Sequence, residues 1–207
     1  MPRLLKITLA LTDADWNTFQ KMGDLNRDGY IDDADGKIDC EDEDCFQDPV
    51  CMGETCQVPY LISEVPITAQ DDGTQFQFQG NTSGKANDLA GSCDEDSAES
   101  PDEVYKFEVQ DQMIVVVSHE FSGFFYPAVY LFAGECLPEN EVACAATTSG
   151  AAVFQAVVDP GVYYIVVDGA FPGDAEEYVL TVSFYVVTET ESACDDGVDN
   201  DIDGLVD

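Results

Sequence analysis

Between positions 24 and 35 the chain reads Asp24-Leu25-Asn26-Arg27-Asp28-Gly29-Tyr30-Ile31-Asp32-Asp33-Ala34-Asp35. Short acidic side chains at alternate positions, with a glycine to allow the bend, present oxygens to one side of a tight loop. That is the requirement of Ca2+, a hard cation that takes six to eight oxygens at about 2.3–2.6 Å. On this spacing Asp24, Asn26 and Asp28 are side-chain ligands and Gly29 makes the turn. Tyr30 offers its carbonyl, Asp32 acts directly or through water, and Asp35 closes the site.

A second pattern overlaps the first: Asp33-x-Asp35-Gly36-x-x-Asp39-Cys40-x-Asp42-x-Asp44-Cys45. Part of it recurs at the other end of the chain as Asp199-Asn200-Asp201-Ile202-Asp203-Gly204-Leu205-Val206-Asp207, where Asp203, Gly204 and Asp207 match Asp35, Gly36 and Asp39. The further ligand candidates are therefore Asp33, Asp39, Asp42 and Asp44 in the first segment, and Asp199, Asp201, Asp203 and Asp207 in the last. The C-terminal copy lacks the closing half, so a complete site there needs oxygens from further chain or from another subunit.

The loop at 24–35 resembles the EF-hand loop, especially the dockerin variant with Asp at the closing position. An entering helix is expected: Thr12 is placed as its N-cap, Asp13 and Asp15 suit its first turn, and Gly23 ends it. The leaving helix is missing, because Gly36 to Cys40 continues as a second acidic turn, and the resemblance carries no cohesin-binding role. The repeated Asp-Gly pattern resembles the thrombospondin type 3 repeat, in which metal does the work of a hydrophobic core.

Charge supports a metal role. Seven Lys and Arg oppose 43 Asp and Glu, a formal net charge of −36 in 207 residues, with no Lys or Arg after Lys106. Nucleic acid and anionic membrane are excluded as partners on electrostatic grounds. Two carboxylates about 4 Å apart repel by about 4 kcal/mol at an effective dielectric near 20, so clustered acids call for cations among them. A solvated acidic surface is the alternative, but eleven carboxylates crowd residues 24–48 at fixed spacings. At 45% hydrophobic and 11% aromatic the chain is too apolar to remain disordered.

The elements that must position these loops are strands. Alternation, turn residues and β-branched runs predict strands at Thr74–Gln79, Glu103–Val109, Gln112–His119, Ala128–Ala133, Ala152–Val158, Val162–Asp168 and Glu177–Val187, with no helix among them. Leu5 to Leu11 alternates Leu5, Ile7, Leu9 and Leu11 with Lys6, Thr8 and Ala10, which reads as a separate strand. The fold class is mainly β: an antiparallel, jelly-roll-like β-sandwich with flanking acidic calcium-binding loops and one short N-terminal helix. Its expected divisions are residues 1–23 (strand and helix), 24–56 (acidic, cysteine-rich segment), 57–73 (linker), 74–187 (sandwich) and 188–207 (C-terminal repeat).

Several stretches of the middle region resemble the bacterial pre-peptidase C-terminal domain. They are Gly80-Asn81-Thr82-Ser83-Gly84, Pro101 to Phe107, Val129-Tyr130-Leu131-Phe132, Gly161-Val162-Tyr163-Tyr164-Ile165-Val166-Val167-Asp168-Gly169 and Tyr178 to Val182. The resemblance implies a sandwich appended to secreted proteins that binds or spaces, sometimes with calcium, and does not catalyse. Asp88, Asp168 and Asp174 lie near turns where a further ion could sit. Tyr126, Tyr163 and Tyr164 are candidates for an aromatic contact surface, with core packing the competing use for Tyr163 and Tyr164.

Eight cysteines without a Cys-x-x-Cys pair read as extracellular disulfides, with Cys136–Cys144 a local bridge and several of Cys40, Cys45, Cys51 and Cys56 paired near one another. Met1 to Leu11 makes a poor match to an export signal, because Lys6 interrupts its short apolar run and no small-residue cleavage site follows, so secretion is expected from the cysteine and calcium chemistry. Catalysis has one histidine, His119, to stand on and is not expected. The sequence thus describes a calcium-dependent structural or adhesive module outside the cell, whose partners are calcium, further copies of itself, or other surface proteins or polysaccharide. The competing reading is a substrate-binding appendage of a secreted hydrolase.

Overall fold

The computed structural model describes residues 40, 46, 51–87, 89–93, 100–121, 123, 125–188, 197–199 and 201. The strand at Leu5–Leu11, the helix after Thr12 and the loop at 24–35 lie outside the described residues. The chain divides into two compact units, Met1–Met52 and Gly53–Asp207. In the first, a Cys40–Cys51 disulfide joins the ends of an acidic stretch.

The second unit is a two-sheet sandwich, as its alternation requires. Its strands are β1 (Tyr60–Leu61), β2 (Thr74–Asn81), β3 (Glu103–Val109), β4 (Met113–Phe121), β5 (Pro127–Ala133), β6 (Glu141–Ala146), β7 (Ala152–Val158), β8 (Gly161–Gly169) and β9 (Glu177–Val186). One sheet has the order β1-β3-β8-β5-β6 and the other β2-β9-β4-β7. Every pairing between strands is antiparallel except the two-residue contact of β1 with β3. All seven predicted strands form. The two unpredicted ones, β1 and β6, are short or dominated by alanine, and residues of the supposed linker enter the fold: Ile62 and Ile67 are buried, and Ile67 bridges Val109.

The main core lies between the sheets, where Tyr105, Phe107, Met113, Val115, Val117, Leu131, Ile165, Leu180, Val182 and Phe184 meet. A second core covers the outer face of the five-stranded sheet, with Val104, Ala128, Tyr130, Phe132 and Val166 packed under Cys56 and Leu89. This explains the unbroken apolar run of β8. It is the central strand of its sheet, covered on both faces along its second half, so from Ile165 to Asp168 neither row of its side chains reaches water.

The expected Cys136–Cys144 bridge does not form. Cys144 stands within β6 opposite Tyr130, whereas Cys136 sits in the turn that precedes that strand, and each joins a different covering loop. Cys56–Cys136 ties down the segment before β1, and Cys93–Cys144 ties down the segment before β3, closing separations of 80 and 51 residues. Gly91 belongs to the same cover: a Cβ there would lie 2.0 Å from the Tyr130 ring.

Loops this long restrict the unfolded chain strongly, by about 4 kcal/mol each on the chain-entropy model. Replacing either pair by serine (Cys56→Ser with Cys136→Ser, or Cys93→Ser with Cys144→Ser) should lower the unfolding free energy by about 2–4 kcal/mol in urea denaturation. A loss below about 0.5 kcal/mol for both would mean that the cover holds without them.

Candidate functional site

Most of the buried polar residues gather at one end of the sandwich, where β2 and β4 finish and β3, β5 and β9 begin. Alternation along the strands delivers them. Glu103 continues the inward row of Tyr105 and Phe107, and His119 continues that of Val115 and Val117. Thr82, Ser100, Asp102, His119 and Asp168 have no exposure, and Glu103 and Asp174 very little.

A charged network closes this end. Lys85 Nζ lies 3.2 Å from Glu54 Oε1 and 3.0 Å from Glu103 Oε1, and Glu54 Oε2 accepts from the Ala86 amide at 2.9 Å. The Tyr178 hydroxyl donates to the other oxygen of Glu103 and stands 2.6 Å from the Tyr105 hydroxyl. A glycine is required opposite it, since a Cβ on Gly80 would fall 2.3 Å from that hydroxyl oxygen. Burial opposes the charge on Lys85, but the hydrogen bond and charge of Glu103, with Glu54 and Tyr60 beside them, hold its pKa above the ordinary lysine value. Burial raises the Tyr105 and Tyr178 phenols far out of reach of neutral pH.

His119 is a clamp between the sheets. Its Nδ1 lies 2.8 Å from the Ala128 carbonyl of the opposite sheet and therefore carries the proton, while its ring meets Phe121 and Tyr178 edge to face. Nε2 has no hydrogen-bond partner among the described residues. Burial pulls the imidazole pKa down to about 4 against the weaker opposing pull of Ala128. The one bond the ring makes is to a carbonyl, not to a hydroxyl that it could activate as a base.

Nearby acids are tied to the protein's own donors. Asp168 accepts from the Tyr130 hydroxyl at 2.7 Å and from the Gly169 amide at 2.6 Å. Asp102 accepts from the Leu89 amide at 3.0 Å, and Asp174 from the Tyr126 amide at 3.2 Å. Burial raises the Asp174 pKa. Asp88 lies outside the described residues.

Three rings stand out of the same end: Phe125, Tyr126 and Phe171, each about 40% exposed. Tyr126 and Phe171 meet edge to face at 5.3 Å, and their loops are joined by the Ala170 amide to the Tyr126 carbonyl at 2.7 Å. Of the three tyrosines singled out in the sequence, only Tyr126 belongs here. Tyr163 stacks on Phe107 in the core, and Tyr164 lies half-buried near Lys106. Sequence reasoning missed Phe125 and Phe171, and also Lys85, Glu54 and Glu103; a lone lysine among acids was the available signal.

Of the predicted calcium ligands, Asp24, Asn26, Asp28, Tyr30, Asp32, Asp33, Asp35, Asp39, Asp42, Asp44, Asp203 and Asp207 lie outside the described residues. Asp199 and Asp201 are described. Asp199 is held against β7, where the Gln155 side-chain amide donates to its carbonyl at 3.0 Å and accepts from its amide at 3.4 Å. Among the described residues no three Asp, Glu, His or Cys side chains gather as a metal ligand set.

Fold and site define a disulfide-stapled, mainly antiparallel β-sandwich with a buried ionic cluster at one end and an exposed aromatic group beside it. No family model and no curated protein matches the chain. Among solved structures, the pre-peptidase C-terminal domain of collagenase from Bacillus anthracis is similar at 16% identity, over 58% of this chain and 98% of that domain, with a TM-score of 0.39. The lysozyme inhibitor PliG of Aeromonas hydrophila is also 16% identical, over 61% of this chain and 98% of its own, at 0.36. Carbohydrate-binding module CBM36, in complex with calcium and xylotriose, is 14% identical over 54% and 98%, at 0.32. With all three scores this low, the fold assignment rests on the strand ladder itself.

Two outcomes follow from the buried groups. A folded-state pKa near 4 for His119 means that its contribution is complete above about pH 6.5 and is lost as pH falls towards 4, at about 1.4 kcal/mol per pH unit. His119→Gln should flatten that slope between pH 6.5 and 5 in urea titrations; an unchanged slope would contradict the burial of a neutral ring. Lys85→Met leaves two glutamates facing one another and should cost about 3 kcal/mol, the low end for a buried pair because Lys85 keeps 17% side-chain exposure.

Proposed function

We propose that this chain is an extracellular, non-catalytic module whose Asp-rich terminal segments bind calcium and whose sandwich serves in structure or adhesion, including the building of a surface assembly. The observation that carries the reading is the ligand spacing of Asp24, Asn26, Asp28, Asp32 and Asp35, with the Asp-Gly pattern repeated at Asp203, Gly204 and Asp207, in a chain of net charge −36. Three disulfides support an oxidising compartment. The likeness to pre-peptidase C-terminal domains belongs to this proposal through the sequence stretches quoted above. Calcium bound at 24–45 and 199–207 relieves the repulsion among carboxylates, so metal and order are coupled there, while the sandwich has a hydrocarbon core of its own.

Titration calorimetry with Ca2+ on protein stripped of metal should give dissociation constants of about 10⁻⁴ to 10⁻³ M, as for other extracellular modules. Asp24→Ala with Asp28→Ala should abolish one class of sites, and chelator should leave the sandwich's melting transition in place. Protein that takes up no Ca2+ at 10 mM, about tenfold above that range, overturns the reading.

The exposed group of Phe125, Tyr126 and Phe171 favours a second reading, a polysaccharide-binding appendage of a secreted hydrolase. Binding to neutral polysaccharide in affinity electrophoresis, lost with Tyr126→Ala and Phe171→Ala, would select it over the first.

A further inference from the structure

An uncharged sheet edge runs along this acidic molecule. β2, Thr74-Gln75-Phe76-Gln77-Phe78-Gln79-Gly80-Asn81, is an edge strand that pairs with β9 over its whole length without irregularity. Among the described residues nothing pairs with its other side. Free edges are ordinarily blunted by charge, proline, a bulge or short length. In a chain that is 24% charged, these eight residues carry no charge, no proline and no bulge.

Its two rows of side chains are finished differently. Gln75, Gln77 and Gln79 are exposed, and the first two donate to Ser183 at 3.1 Å and Thr181 at 3.4 Å. Phe76 and Phe78 face the core, meeting Phe184 and Tyr105 at ring distances of 6.1 and 5.1 Å, yet stay only half-buried because no strand flanks them. A strand with an apolar row and a polar row would complete both. The N-terminal segment has that pattern, with Leu5, Ile7, Leu9 and Leu11 on one side and Lys6, Thr8 and Ala10 on the other. Arg3 and Lys6 make residues 1–12 basic, since the first acid is Asp13 and every one of the 43 acids follows.

We propose that β2 is the acceptor edge for the Leu5–Leu11 strand of a second copy of this chain. The leucine row lies along Phe76 and Phe78, the Lys6 row extends the glutamine face, and the main chains form a ladder as in other strand additions. Opposite charge draws the basic segment to the acidic sandwich. Each copy donates at one place and accepts at another, so the contact is head-to-tail and builds open chains. This deepens the assembly part of the function proposed above and does not require calcium at the interface.

Sedimentation velocity on the full chain, with and without chelator, tests it alongside two variants: Ile7→Glu with Leu9→Glu, which disables the donor, and Gln75→Lys with Gln77→Lys, which charges the acceptor edge. Wild type should form species larger than a monomer, each variant alone should be monomeric with unchanged melting of the sandwich, and an equimolar mixture of the two should yield heterodimers. A monomeric wild type overturns the proposal, and so does a donor variant that still dimerises, which would indicate pairing of β2 with β2. Calorimetry separates this proposal from the calcium reading: a monomeric wild type that binds Ca2+ refutes only the strand addition, and an assembling wild type that binds none refutes only the calcium.

Discussion

The centre of the five-stranded sheet is buried on both faces, and the rest of the sandwich unit is arranged to make that stable. An antiparallel sheet of this size normally packs one face and wets the other. Here Val104, Ala128, Tyr130, Phe132 and Val166 form a second apolar layer, against which Cys56 and Leu89 of the connecting segments pack. Connecting chain brings main-chain amides and carbonyls with it, and those need partners when they are buried. The buried acids meet that need: Glu54 takes the Ala86 amide, Asp102 the Leu89 amide and Asp168 the Tyr130 hydroxyl. The disulfides at Cys136 and Cys144 hold the cover in register.

The polar end is therefore structural first. Lys85 and Lys106 are the two lysines of the sandwich region, which has no arginine, and Lys85 lies between two carboxylates whose charge it offsets. His119 stays neutral and joins one sheet to the other through Ala128. Among the described residues, the ring group around Tyr126 and the outer edge of β2 are not engaged in this way. The acidic segments at 24–48 and 199–207 differ in composition: their crowded carboxylates repel one another, which is the basis of the calcium proposal made for them.

How far the fold was legible depended on local pattern. All seven strands predicted for the sandwich form, because two-residue alternation records which face is buried; the strand read at Leu5–Leu11 lies outside the described residues. β1 escaped, being two residues whose pairing with β3 is visible only once the chain has folded back. β6 escaped because Ala143, Cys144, Ala145 and Ala146 carry little strand preference. The bridge assumed between Cys136 and Cys144 failed for a related reason: closeness in sequence says nothing about which layer each sulfur faces. At the polar end, Tyr126 was noticed but its neighbours Phe125 and Phe171 were not, since loops 45 residues apart converge only through the ladder of β5 with β8.

By itself, then, the sequence determined the class of fold, the strands with clear alternation, the strongly acidic character and the spacing of the proposed calcium ligands. Those properties are local or additive, and each residue contributes without knowing its distant neighbours. Tertiary structure alone decided which cysteines pair, which of Tyr126, Tyr163 and Tyr164 faces solvent, that Lys85 sits between Glu54 and Glu103, and that β2 is an edge. Each of these depends on contacts between residues far apart in the chain, and such contacts are chosen by how the two sheets and their covering loops pack.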